Sequence, residues 1–281
     1  MTALIDGYDM VSFDLDGVIY RGPQAVPHAV ETLAELRKRA VRIGFVTNNA
    51  QRSPQMVADH LNQLGIACDP ADVVTSAQAT ARVMAEQLEP GAEVLILGSA
   101  SLAHEVSTVR LTPTTGRTAN TAAICVGYDP TLTLAALNEG CFAVESGAVW
   151  YACNDDLNRP TESGLAIGMG GVLAAMSLAL PEQTPIMGGK PARPLLDETH
   201  RRLGGDRILF VGDRLDTDIA GAVRAGWDSL FVLSGSHTLR DAEAAEAGST
   251  PTYVGDDVSA LLEEPRVWQS VVSSGLDSTT R

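Results

Sequence analysis

Lysine is almost missing from this chain: of its 20 basic residues only Lys38 and Lys190 are lysines. Set against 35 acidic residues, that leaves a net charge of −15, which excludes a surface built for nucleic acid or for an anionic membrane. No apolar run approaches the ~18 residues that span a bilayer, so no transmembrane helix is expected. The first nine residues hold two acids and no basic residue, unlike a secretory leader. Cysteine is sparse too. Cys68, Cys125, Cys141 and Cys153 form no Cys-x-x-Cys pair, and the five histidines show no ligand spacing. A zinc or disulfide framework is thereby disfavoured, and free thiols in a cytoplasmic protein are expected. No internal repeat is present.

What remains is globular in composition, with 45% hydrophobic and 20% charged residues, and long enough for two modest domains. A net negative charge does not forbid a small anionic ligand, because distant charge is screened over a Debye length of ~10 Å. The stretch that organises the rest is residues 10–20, Met-Val-Ser-Phe-Asp-Leu-Asp-Gly-Val-Ile-Tyr. An apolar strand there ends in Asp14 and Asp16, which lie on the same side of an extended chain, just before Gly17. Paired anions at a buried strand end are costly unless a cation or a reacting group meets them. Two readings stand: an acidic loop with one Asp capping a turn, or a carboxylate nucleophile beside an acid/base partner near a hard cation.

The order of elements predicts an α/β protein, a doubly wound parallel-sheet (Rossmann-like) core with an inserted α/β cap domain. A helix over 25–39 and a strand over 42–46 follow the first strand as a βαβ unit, which puts Thr47 on the same rim as Asp14. From about residue 78 a second α/β set begins, with strands near 93–98, 122–127 and 149–153, a helix over 133–145, a glycine-rich loop over 164–171 and an apolar helix to Leu180. The first pattern resumes near Pro185 with the loop Gly188-Gly189-Lys190-Pro191, a helix over 193–203 and a strand over 207–211. Helix, strand, helix (239–247), strand and a last helix close the fold. The expected division is core 1–77, cap 78–186, core 187–264 and a tail over 265–281.

Polar groups thus end three core strands on one rim: Asp14 and Asp16, then Thr47 and Asn48, then Asp213 and Asp218, with the Lys190 loop before the third. Phosphoryl transfer calls for that set of parts. Oxygen ligands from Asp14 and Asp213 suit Mg²⁺, Lys190 offsets negative charge, the Thr47 hydroxyl donates, and Asp16 can move the proton of the leaving oxygen and later of water. Asp218 can orient a metal-bound water or cap a helix. Asn154 and Asp156 can meet a polyol leaving group or cap the turn before Pro160.

In order and spacing, Asp14-x-Asp16-Gly17-Val18, Thr47, Lys190-Pro191 and Gly212-Asp213-x-x-x-x-Asp218 resemble the four motifs of the haloacid dehalogenase superfamily, over nearly the whole chain to about residue 260. The resemblance implies that Asp14 is the nucleophile and Asp16 the general acid/base. It implies further that Asp14, Asp16 (through its carbonyl) and Asp213 bind the metal, and that Thr47, Asn48 and Lys190 bind phosphate. The large insert, Asn48-Asn49 after Thr47, and Asn154-x-Asp156 before Pro160-Thr161 are similar to the type IIA-capped phosphatases. Asp72 to Gln78 and Gly212 to Ile219 look most like the glycerol 3-phosphate phosphatases among them. Substrate choice would then fall to Asn154, Asp156, Gly168, Met169 and Gly170, with Ile167 standing where that family's cap loop carries proline. The expected function is a Mg²⁺-dependent phosphatase of a small phosphorylated metabolite, glycerol 3-phosphate before phosphoglycolate, pyridoxal phosphate or a mononucleotide, with a homodimer as the assembly considered. A receiver module would be far shorter and uncapped, a dehalogenase would not need Asp16, and a lapsed, purely binding protein would have lost a catalytic part.

Overall fold

The computed structural model describes residues 2–161, 164–269 and 271–272; the expected tail past Val272 lies outside the described residues. The chain begins with β1 (Met10–Phe13), a hairpin of β2 (Tyr20–Arg21) and β3 (Gln24–Ala25), α1 (Ala29–Lys38), β4 (Arg42–Thr47), α2 (Pro54–Gln63) and β5 (Val73–Thr75). The insert holds α3 (Ser76–Gln87), β6 (Glu93–Leu97), α4 (Ala100–Thr108), β7 (Thr112–Thr114), β8 (Thr121–Val126), α5 (Leu134–Glu145) and β9 (Val149–Ala152). It continues through β10 (Asn158–Thr161), β11 (Gly164–Ile167), α6 (Met169–Ala179) and β12 (Ile186–Met187). Then follow α7 (Pro194–Leu203), β13 (Ile208–Gly212), α8 (Ala220–Ala225), β14 (Asp228–Val232), α9 (Leu239–Glu243) and β15 (Tyr253–Gly255). Contacts divide the chain into two units, Met1–Val46 with Val57–Val73 and Thr199–Arg281, and Thr47–Met56 with Val74–Glu198.

The core sheet has the order β15-β14-β13-β1-β4-β5, and β1 pairs in parallel with both β13 and β4. The chain steps outward from β1 through β4 and β5, then returns to fill the other side with β13, β14 and β15. β1 therefore sits at the topological switch point, and the carboxyl ends of strands at such a point are where open α/β sheets bind ligands. Every residue of β1 and β13 is buried, as expected of strands covered on both faces. Helix α1 buries Ala29, Thr32, Leu33 and Leu36, the i, i+3, i+4, i+7 stripe of a helix laid on a core. It starts later than residue 25 because Gln24 and Ala25 pair with Arg21 and Tyr20, and Pro27 biases Val26 toward an extended chain.

The second unit is a separate five-stranded sheet, β12-β9-β8-β6-β7, with all of its pairs parallel. One apolar cluster joins it to α5 and α6 and another to α3 and α4, so helices cover both faces. Helix α4 and strand β7 were not anticipated; Ser99 caps α4 by accepting from the Leu102 N–H at 3.2 Å.

The glycine-rich loop expected over 164–171 is instead a strand and a helix start. Gly164–Ile167 pairs antiparallel with Asn158–Thr161, and Gly168 opens α6. Its glycines answer to packing: a Cβ at Gly168 or Gly170 would collide with the carbonyls of Asp156 or Asp155. The C-terminal helix expected over 239–247 stops at Glu243, the helix after β15 is a short 3₁₀ segment, Val258–Leu262, and the expected tail includes helical residues 268–269 and 271–272, where Trp268 is buried. Among the described residues no helix is long and apolar enough to cross a membrane, and the four cysteines are free thiols.

Candidate active site

In the first unit, the carboxylates of Asp14, Asp213 and Asp218 each offer an oxygen within 4.8 Å of the others. Asp14 follows β1 and donates its N–H to the Val211 carbonyl at 2.9 Å, while Asp213 follows the neighbouring β13. Asp213 and Asp218 are fully buried. Two unit negative charges at that spacing repel by about 3 kcal/mol at an effective dielectric of ~20, so the cluster is suited to a hard cation with oxygen ligands.

The acids are built into a tight loop. Asp218 Oδ2 accepts the N–H groups of Asp213 and Arg214, each at 3.1 Å, so it shapes the turn that carries Asp213. Asp213 Oδ2 accepts the Ser236 N–H at 2.6 Å. Gly17, at φ +88°, admits that carboxylate, since a Cβ there would lie 2.6 Å from Asp213 Oδ2; a Cβ at Gly235 would collide with it as well. Asp16 stands apart: it is exposed and bridges to Tyr20, and its side chain is not a member of the three-carboxylate cluster.

The segment 234–237 was not singled out from the sequence, yet it closes the acidic rim. Besides the Ser236 contact, Ser234 Oγ donates to the Gly17 carbonyl at 2.9 Å, and Arg21 Nη2 donates to the carbonyls of Ser234 and Gly235. His237 Nδ1 accepts the Leu215 N–H at 3.0 Å. A glycine between two serines straight after the buried β14 was the available signal. Beside it, burial tends to raise the Asp216 pKa, but two bonds from Arg214 outweigh that and hold the carboxyl below the usual range.

The second unit carries the other expected residues. Thr47 ends β4, is buried, and its Oγ1 accepts the Asn49 N–H at 3.1 Å, so its own hydroxyl hydrogen points elsewhere. Lys190 is 1% exposed. The Asn48 side chain brackets the lysine's main chain, with Nδ2 donating to the Lys190 carbonyl at 2.9 Å and Oδ1 accepting the Lys190 N–H at 2.8 Å. Asn154 Nδ2 donates to the Asn48 carbonyl at 2.8 Å, and Asn154 Oδ1 accepts the Asp156 N–H at 3.3 Å. Asn48 and Asn154 therefore spend their amides on the fold. Met169 is buried in the apolar cluster of α5 and α6, so its side chain serves packing, and Gly168 and Gly170 lie against main chain.

Two family profiles match the chain. Residues 11–112 match one described as haloacid dehalogenase-like hydrolase, and residues 187–261 a second of the HAD-hydrolase-like kind. The chain belongs to the haloacid dehalogenase-like hydrolases. It is 41% identical to the D-glycerol 3-phosphate phosphatase of Mycobacterium tuberculosis, over 98% of this chain and 79% of that protein. It is 34% identical to the 5'-nucleotidase YutF of Bacillus subtilis, over 89% and 95%. The crystal structure of the M. tuberculosis glycerol phosphate phosphatase in complex with magnesium superposes with a TM-score of 0.90 at 42% identity, covering 94% of this chain and 77–79% of that one across its magnesium and calcium forms. This member of the family is a phosphatase with an α/β cap.

Proposed function

We propose that this phosphatase hydrolyses a small phosphomonoester, glycerol 3-phosphate foremost, through a phosphoaspartate on Asp14 and with Mg²⁺ as its metal. The observation that carries the reading is the convergence of Asp14, Asp213 and Asp218 at the switch point of the sheet. Likeness to a glycerol phosphate phosphatase over most of the chain supports the choice of substrate. Asp14, Asp213 and the main chain of Asp16 would hold the ion, with Asp218 fixing the loop of Asp213. When bound, it would offset charge on the phosphoryl oxygens.

Asp14 Oδ attacks phosphorus and forms an acyl phosphate as the bond to the ester oxygen breaks. Asp16, protonated, gives its proton to the departing oxygen. It then takes a proton from water, whose oxygen attacks phosphorus, and the bond to Asp14 breaks to release inorganic phosphate. The exposure of Asp16 suits a group that must trade protons with leaving group and water. The Thr47 hydroxyl and the Lys190 ammonium serve the phosphoryl oxygens.

The test is a panel of glycerol 3-phosphate, phosphoglycolate, pyridoxal phosphate and mononucleotides, assayed with Mg²⁺ and with a chelator. Glycerol 3-phosphate is expected to show the highest kcat/KM, chelation to stop turnover, and Asp14→Asn to lower kcat by ~10³ or more with an unchanged melting curve. Near-normal turnover by Asp14→Asn would sink the mechanism, and a higher kcat/KM on another member of the panel would move the substrate.

A further inference from the structure

We propose that Asn48 and Asn154 are positioning residues for Lys190, a two-step relay in which Asn154 sets Asn48 and Asn48 sets the lysine main chain, and that neither reads the leaving group. The inference rests on the phosphatase reading for what Lys190 does, but on geometry alone for how it is held.

An Asn amide carries a donor and an acceptor in one plane, and Asn48 applies both to a single residue, as a neighbouring strand would. Two bonds on one residue fix rotation as well as distance. The main chain of Asn48 is itself fixed, because its carbonyl accepts from Ser76 Oγ at 2.6 Å and from Asn154 Nδ2 at 2.8 Å. Ser76 is fully buried and Asn154 is 4% exposed, so water is a poor substitute for either donor.

The approach to the lysine is equally constrained. A Cβ at Gly189 would lie 2.7 Å from Asn48 Oδ1 and would collide with the Cys153 carbonyl, and one at Gly188 would collide with the Thr80 side chain. Lysine carries about 2 kcal/mol of rotamer entropy on a flexible stem, so its ammonium has a defined place only where its root does not move. The Asn48 amide holds that root through its main chain.

The chain's shortage of lysine makes the test direct. Limited acylation of the metal-free protein, read by mass spectrometry, compares Lys190 with Lys38, whose side chain is 75% exposed and serves as the internal standard. In the unsubstituted protein Lys190 is expected to label far more slowly than Lys38. Asn48→Ala and the near-isosteric Asn154→Asp should speed labelling of Lys190 about tenfold and leave Lys38 unchanged, since a loosened root exposes the amine. In the same variants kcat/KM should fall about tenfold or more, by one common factor for p-nitrophenyl phosphate and glycerol 3-phosphate, because the shared phosphoryl group is what the lysine serves. Unchanged Lys190 labelling, or a loss confined to one leaving group, overturns the relay. Absence of phosphatase turnover in the unsubstituted protein would instead remove the functional reading while the labelling still decides the clamp.

Discussion

Around Asp213 the first unit gathers like charges, whereas around Lys190 the second gathers neutral hydrogen bonds. Three carboxylates within 4.8 Å repel one another, and the fold holds them there by main-chain donors and by glycines that keep Cβ atoms away. The main chain of Lys190 is bracketed by the Asn48 amide, which donates to its carbonyl and accepts its N–H. The difference teaches that each unit shapes its own polar group locally: the first spends main-chain donors and glycines on carboxylates, the second spends a side-chain amide on the main chain of a lysine.

Three experiments press on that contrast, beginning with the largest effect. Asp16 lies outside the clustered acids, so its loss should act on proton transfer and spare metal binding. Asp16→Asn is expected to cost ~10²–10⁴ in kcat with an alkyl phosphate and much less with p-nitrophenyl phosphate, whose leaving group needs little acid help. Equal losses on both esters would merge Asp16 with the cluster and blur the comparison.

Next comes a matched pair of glycines. Gly235→Ala crowds Asp213 and should weaken activation by Mg²⁺ ~10–100-fold with little change in inhibition by inorganic phosphate. Gly189→Ala crowds Asn48 and the Cys153 carbonyl and should do the reverse, weakening phosphate inhibition with the Mg²⁺ dependence nearly intact. Titrations of metal and phosphate on both variants check this, and a shared phenotype would contradict separate roles for the two glycines.

The smallest effect concerns Asp216 at the margin of the acidic loop. Its folded pKa lies below the ordinary value near 4, so its contribution to stability is present above that value and is lost as pH falls through the depressed one. With the carboxylate 54% exposed, solvent screening keeps the contribution under ~1 kcal/mol. Asp216→Asn should therefore melt slightly earlier at pH 7, and the gap should close as pH falls through the depressed pKa. A gap that widened in acid would contradict the assigned sign.

Legibility in the sequence followed the same contrast. Asp14, Asp213 and Asp218 could be read because a carboxylate at the end of a buried strand is anomalous in any context, and the strands themselves are apolar runs. The parallel core sheet and the second α/β set followed from strands alternating with helices, but their strand orders did not. What could not be read was anything set by one backbone meeting another. Gly168 and Gly170 resembled a ligand loop, yet their freedom is spent on the carbonyls of Asp155 and Asp156. Ser234 to His237 carries no charge pattern, and its role appears only when β14 delivers it beside Asp213. Asn48 and Asn154 look like any polar pair until their partners are known.

Because Phe13 of β1 pairs with Val211 of β13, the polypeptide supplies Asp14 at the beginning of synthesis and Asp213 only about 200 residues later. A nascent chain can join β1 to β4 early, but the cluster of Asp14, Asp213 and Asp218 cannot form until β13 and the loop after it have been made. Assembly of the acidic cluster is thereby a late event in the making of the chain, separated from the first strand by the whole of the inserted domain.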